Sequence, residues 1–243
     1  MSDLSERQVK IIRAIIEEYI GTAEPVGSET LDKKYNLGVS PATIRNEMVK
    51  LTQTGYLKQV HTSAGRTPTP KALKFYIKDL MKTKDLSIAE EVAAKEAVWD
   101  YRQDFDKLLR ETTRALAEKT RALAIATDDE GDLYYAGTAN ILEMPEFYDI
   151  DLTKNLLSLL DHFDFWEELA TRELLDEDPI HLLLGEELGQ KYLEPCGFVY
   201  THYEIPRHKG VVGIIGPYRL NYPSVIPIVR YFGSLIGEIG RSW

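Results

Sequence analysis

The stretch Ser40-Pro41-Ala42-Thr43-Ile44-Arg45-Asn46-Glu47-Met48, followed shortly by His61-Thr62-Ser63-Ala64-Gly65-Arg66-Thr67-Pro68-Thr69-Pro70, decides how this chain is read. Ser40 supplies an N-cap oxygen, Pro41 suits a first helical position, and Ile44, Met48 and Leu51 recur at helical spacing. Together they predict a helix with one face in a core. The opposite face carries Ala42, Thr43, Arg45, Asn46, Val49 and Lys50. Arg45 and Asn46 have the groups to reach base edges, and Lys50 has the charge to meet phosphate. Any surface helix can show such a mixture, so the flanking sequence has to decide.

Upstream, Ser5 and Gln8 form a capping box before Val9, Ile12, Ile16 and Tyr19, which follow the helical period. Pro25-Val26-Gly27-Ser28 then predicts a turn with a second cap at Ser28, opening a short helix with Leu31 and Tyr35 inward and Asn36-Leu37-Gly38 as its stop. The second of these helices, the turn and the helix after Ser40 make a helix-turn-helix. Beyond Gly55, Tyr56-Leu57-Lys58-Gln59-Val60 has strand composition, and Gly65 supplies a tight turn, which predicts a wing. Arg66 is expected at its tip, entering a minor groove or clasping phosphate, with Lys58 and His61 close by. A helix from Lys71 to Met81, with Leu73, Tyr76, Ile77 and Leu80 inward, would close the domain. Ser40, Thr43, Arg45, Asn46, Lys50, Lys58, His61 and Arg66 are therefore the candidate DNA-binding residues.

Charge is partitioned along the chain. Residues 1–82 hold 13 Lys and Arg against 9 Asp and Glu, whereas the remainder holds 16 against 30, giving the net charge of −10. An acidic body repels phosphate, so nucleic acid should meet only the basic N-terminal end. The 243 residues, 44% of them hydrophobic, suit two cores. No apolar run has the roughly 18–20 residues needed to span a bilayer, and the N-terminus lacks the regions of a signal peptide. Cys196 is the only cysteine, so no intrachain disulfide forms. The expected location is cytoplasmic, with no membrane partner.

Residues 83–121 read as a helical linker. Ser87 and Glu90 form another capping box, and Ile88, Val92, Phe105, Leu109, Thr112 and Leu116 approximate one face, with a break near Trp99 to Arg102. Helices packed on their own domain and an intermolecular seam spacing two DNA-binding modules both fit this pattern. Residues 122–243 alternate strands and helices. Ala122–Thr127 and Leu133–Tyr135 flank the turn residues Asp128-Asp129-Glu130-Gly131, and further strands are expected at Ile180–Leu184, Phe198–Tyr203 and Val211–Ile215. Helices are expected at Leu152–His162, continuing toward Leu169, and at Ser224–Ile239.

Nothing in this second half reads as catalytic. No Gly-x-Ser-x-Gly elbow or Walker sequence is present, and the Gly210, Gly213 and Gly216 spacing is wrong for a dinucleotide turn. The histidines show no ligand spacing with Cys196, so no metal is expected, and Asp128-Asp129-Glu130 with Asp132 reads as a solvated turn. Glu143, Glu146, Glu186 and Glu187 have no nucleophile beside them. The loop Tyr218-Arg219-Leu220-Asn221-Tyr222 is either a ligand-lining or a structural loop, with Arg219 and Tyr222 as its candidates. No cofactor is expected.

The N-terminal eighty or so residues resemble the heat-inducible transcription repressor family HrcA. The likeness lies in Leu4-Ser5-Glu6-Arg7-Gln8, Glu24-Pro25-Val26-Gly27-Ser28, Ala42-Thr43-Ile44-Arg45-Asn46-Glu47-Met48 and His61-Thr62-Ser63-Ala64-Gly65-Arg66. It continues in Asn140-Ile141-Leu142-Glu143-Met144-Pro145-Glu146-Phe147, Gly185-Glu186-Glu187, and Gly213-Ile214-Ile215-Gly216-Pro217 with Arg219 and Tyr222. The resemblance implies an α+β chain with an N-terminal winged helix-turn-helix (1–82), a helical linker (83–121) and a C-terminal GAF-like sheet domain (122–243). It further implies a homodimeric repressor of chaperone operons, bound to double-stranded DNA at an inverted repeat and modulated by a GroEL-type chaperonin. A ligand-sensing GAF-like regulator of other genes is the alternative. Departures are Leu188 where the family tends to have Asn, Thr67 for Ile and Ala72-Leu73 for Gly-Tyr. The family's inserted dimerisation domain of about a hundred residues is also missing, since Leu123–Thr127 passes almost directly into Leu133–Leu142.

Overall fold

In a computed structural model that describes residues 4–59, 65–171 and 178–241, the capping box at Ser5 is present. Its hydroxyl accepts from the Gln8 amide at 3.3 Å, and its own amide donates to Gln8 Oε1 at 3.0 Å. It opens α1 (Glu6–Thr22), which buries Ile11, Ile12, Ile15 and Ile16 completely. Contacts divide the chain into Met1–Lys82 and Thr83–Trp243.

In the first unit, α2 (Ser28–Lys34) is capped by Gly27 and not by Ser28, which lies inside the helix and is buried. The reason lies one residue earlier. Val26 exchanges two backbone hydrogen bonds with Arg66, at 2.8 and 2.9 Å, so the chain is extended through Val26 and turns helical only after Gly27. Tyr35, expected inward, is a half-buried residue just past the helix. Helix α3 (Pro41–Gln53) begins as predicted, with the Ser40 hydroxyl accepting from the Thr43 amide at 3.3 Å and Ile44, Met48 and Leu51 buried. The strand expected over Tyr56–Val60 is shorter among the described residues. β1 (Leu57–Lys58) pairs antiparallel with β2 (Thr67–Pro68). The closing helix is two pieces, α4 (Pro70–Phe75) and a wider π-helical turn over Tyr76–Leu80.

The second unit starts with α5 (Ile88–Trp99) and α6 (Phe105–Thr120), separated by turns at 100–104. The stretch read as a linker is therefore part of the sheet domain. Thr112, Thr113, Leu108, Leu109 and Leu116 are buried as α6 packs on the sheet and α5 packs on α6. Ile88 and Val92, expected on that same buried face, are instead exposed, because α5 turns Ala94 and Val98 inward.

Next come β3 (Leu123–Thr127), β4 (Leu133–Ala136), α7 (Thr138–Ile141), α8 (Ile150–Ser158) and α9 (Phe163–Thr171). They are followed by β5 (Ile180–Leu184), β6 (Cys196–Ile205), β7 (His208–Pro217) and α10 (Tyr222–Gly240). The helix expected over Leu152–His162 starts two residues earlier and tightens over Leu159–Asp161. At His162 the backbone leaves helical geometry, which separates α8 from α9. The five strands form one antiparallel sheet in the order β4-β3-β7-β6-β5, a GAF-like arrangement. The acidic stretch between β3 and β4 is a backbone-bonded turn: Asp128 Oδ1 accepts from the amides of Glu130 and Asp132 at 3.0 and 2.9 Å.

Alternation along the strands divides the core between two faces. Leu123, Ile125, Phe198, Tyr200 and Ile215 meet Leu156, Trp166 and Leu169 on one side. Trp166 donates to the Leu159 carbonyl at 2.8 Å and Tyr200 to the Leu169 carbonyl at 3.2 Å, so neither large ring buries an unpaired polar atom. The other face is built from smaller residues, and Gly233 lets α10 approach Thr201 closely. Gly213 is equally constrained, since a Cβ there would stand 2.5 Å from both the Val199 carbonyl oxygen and the Tyr200 Cβ. Gly213→Ala should therefore cost about 1–3 kcal/mol through overpacking. Gly237→Ala, in open space within α10, should add about 0.5–1 kcal/mol. Urea unfolding of the two variants beside the parent checks both signs.

Candidate nucleic-acid interface

The outer face of α3 is presented as its sequence suggests. Arg45, Asn46, Val49 and Lys50 are exposed while Ile44, Glu47, Met48 and Leu51 are buried beneath them. Ser40 is occupied as the cap, and its hydroxyl lies 3.0 Å from that of Thr43, which is half-buried. These two hydroxyls shape the helix start. Arg45 and Asn46 are the groups that project from it.

Glu47 was not singled out by the sequence. It sits on the inner side of α3, accepting from Gln8 Nε2 at 3.0 Å and pairing with Lys50 Nζ at 3.0 Å. The hydrogen bond from Lys50 is the main cause holding its carboxyl below the usual range, against the opposing effect of burial. One acid thus joins the start of α1 to the middle of α3 and steers the Lys50 ammonium. Only the spatial approach of Gln8 distinguishes Glu47 from an ordinary helix carboxylate, and no local pattern carries that signal.

Arg66 is not at a wing tip. It stands just before β2, bonded through its backbone to Val26, and its Nε donates to Thr52 Oγ1 at 3.2 Å near the end of α3. The side chain is half-buried. Gly65 beside it allows this approach, because a Cβ at that position would collide with the Val26 carbonyl. The expectation failed because Val26 lies forty residues away in sequence, and its pairing draws Arg66 to the base of the wing. Lys58 is half-buried on β1. His61 lies outside the described residues.

The loop candidates in the sheet domain are engaged in packing. Arg219 forms a two-pronged pair with Glu146, at 2.6 and 2.9 Å, both side chains largely buried. Tyr222 is fully buried and donates to the Tyr218 carbonyl. Burial alone raises its pKa, so its hydroxyl stays protonated. Cys196 is buried too, its thiol pushed up to about 12, chiefly by desolvation. Among the described residues no group of three or more His, Cys, Asp or Glu could hold a metal ion, and no helix is long and apolar enough to cross a membrane.

The family described as HrcA protein C terminal domain matches residues 44–226. The heat-inducible transcription repressor HrcA of Symbiobacterium thermophilum is 29% identical, with 98% of this chain and 99% of the relative covered. The protein of the same name from Pelotomaculum thermopropionicum is 26% identical, with 97% of each covered. The first alignment runs over 339 positions against 243 residues here, so nearly a hundred positions of the relative have no counterpart. A crystal structure described as that of a hypothetical protein at 2.2 Å resolution superposes with a TM-score of 0.80 at 21% identity, covering 99% of both chains, and so shares the fold.

The revised place of Arg66 gives it a structural role with a distinct signature. Arg66→Ala should lower stability by about 1–2 kcal/mol, while the slope of log affinity for DNA against log salt changes by much less than the unit expected for a lost phosphate contact. Thermal unfolding and a salt titration of DNA binding check the two halves.

Proposed function

Because the chain belongs to the HrcA family, we propose that it represses heat-shock chaperone operons by binding an inverted-repeat operator, under the control of a GroEL-type chaperonin. It is a DNA-binding transcription regulator and not an enzyme. The target genes and the chaperonin are the proposed part, supported by relatives that carry the name heat-inducible transcription repressor over nearly the whole chain. In this reading α3 enters a major groove with Arg45 and Asn46 toward base edges, while Lys50 and Lys58 meet phosphates. His61, outside the described residues, is proposed as a further DNA contact. The protein works in the cytoplasm, where its operators are.

Control by a chaperonin follows a mass-action logic. A repressor that needs chaperonin to reach its active fold is depleted when unfolded clients occupy that chaperonin, and transcription of the chaperone genes rises. The second reading, a ligand-responsive regulator of other genes, is favoured by the architecture itself, a winged helix joined to a separate GAF-like sheet domain. Arg219 and Tyr222 are already satisfied by Glu146 and Tyr218, so a ligand would have to be held elsewhere.

An inverted repeat favours a two-fold protein, because linked half-sites add the binding energies of two modules. With the family's insertion missing, α5 offers a seam. Ile88, Val92 and Trp99 lie on one stripe of this helix and are 80%, 48% and 41% exposed. We place the dimer contact there, with Lys95 packed over the Trp99 ring and paired to Glu238 at its border.

Three measurements test these readings. Binding to inverted repeats found upstream of the host's own chaperone genes should lose about 1–3 kcal/mol, together with base preference, in Arg45→Ala. Active repressor should increase with added chaperonin. Operator release by a metabolite without chaperonin would instead favour the second reading. In sedimentation, Ile88→Glu should shift the protein toward monomer without changing its folded spectrum, and an unchanged dimer would remove α5 from the interface.

A further inference from the structure

The edge of the sheet and the helix beside it form a groove that DNA binding does not use. Among the described residues β4 ends the sheet, bonded only to β3, so its outer backbone groups face away from the ladder. Along it runs α6, presenting Asp106, Arg110 and Arg114 on successive turns. These three and Asp132–Ala136 line an open groove of about 460 Å³.

Two contacts fix the direction of the groove. The Tyr134 hydroxyl donates to Asp106 at 3.1 Å near the start of α6, and Asn140, just after β4, donates to the Ala117 carbonyl at 3.3 Å near its end. Helix and strand therefore run in the same sense. The groove carries Asp106 and Asp132 at one end and Arg110 and Arg114 further along α6. Sheet edges are commonly blunted by Lys, Pro or a bulge. β4 reads Leu133-Tyr134-Tyr135-Ala136 and leaves Tyr135 half exposed.

We propose that this groove binds an extended acidic segment of a partner protein, which adds to β4 as a sixth strand and sets two carboxylates against Arg110 and Arg114. The spacing supports it: arginines one turn apart on a helix are separated by about 6 Å along the axis, and alternate residues of a strand by about 6.6–6.8 Å. An Asp-x-Asp pattern on one face of the added strand thus matches the two guanidinium groups. Backbone bonds to the edge supply affinity, and the arginines select the charge pattern. Arg114 now pairs with Glu111 at 3.1 Å, an exposed i, i+3 contact that a ligand carboxylate can replace at little cost.

The test uses the full chain and a fluorescein-labelled peptide of alternating Val and Asp, read by anisotropy. Saturable binding is expected, weakened at least tenfold in the double variant Arg110→Glu with Arg114→Glu, whose fold is checked by near-UV circular dichroism. That variant should gain affinity for the same peptide carrying Lys in place of Asp. Of two peptides N-methylated on alternate sets of residues, one should lose binding and the other keep it, since only one set of amides faces β4. Three results would overturn the proposal: no binding at millimolar peptide, equal affinity of parent and double variant, or equal binding of the two methylated peptides. Self-association through β4 that the peptide does not reverse would give the edge to a second copy and overturn it as well.

Discussion

Two backbone hydrogen bonds between Val26 and Arg66 organise the unit Met1–Lys82. They join the turn after α1 to the base of the wing. A backbone amide or carbonyl left unpaired in such a place costs about 1–3 kcal/mol, so the pairing fixes what its neighbours can do. Val26 must be extended, which moves the cap of α2 from Ser28 to Gly27. Gly65 must lack a side chain. Arg66 is held where its guanidinium reaches Thr52 at the end of α3. The turn, the wing and the candidate reading helix are thereby tied to one another, and Glu47 makes a second tie from α3 to α1 through Gln8. The outer edge of α3, where Arg45 and Asn46 are exposed, is the part we propose for DNA.

The sheet domain follows a different constraint. Its two faces carry side chains of different size, so they accept different partners. Phe198 and Tyr200 stack at 4.7 Å and meet Trp166 and the helices between β4 and β5. The opposite face is nearly flat, with Ala124 and Ala126 in the strand β3, and it takes α6 and α10 closely. Helix α6 is thus required to complete the core, while α5 is only half used and keeps an apolar stripe outward. The contrast explains why one part of the supposed linker is buried while the other keeps Ile88 and Val92 exposed.

Much of this was legible in the residues because its causes are local. The capping boxes at Ser5 and Ser87, the cap at Ser40 and the spacing of Ile44, Met48 and Leu51 act within a few residues, and the helices begin where these signals stand. The strands are found where β-branched and aromatic residues cluster, though β6 and β7 extend beyond the expected bounds because they pair along their whole length. The misplaced features have remote causes. Arg66 looked like a wing tip because Gly65 reads as a turn, whereas its glycine is needed for close approach to Val26. Glu47 carried no local signal, because its role depends on Gln8 of another helix. Ile88 and Val92 fitted a buried face by spacing alone, but Ala94 and Val98 permit a closer fit to α6. Arg219 and Tyr222 drew interest as polar groups in a loop, and their partners Glu146 and Tyr218 account for them.

The central claim is that α3 lies in the major groove with its Arg45–Asn46 edge toward the bases. An iron chelate attached at Asn46→Cys tests it most directly, since Cys196 is buried with its thiol pushed up to about 12 and will not compete for the label. With an inverted repeat taken from upstream of the host's chaperone genes, the account predicts strand cleavage confined to the major groove of the two half-sites, related by their dyad. Cleavage spread evenly along the duplex, or limited to flanking minor grooves, would contradict it.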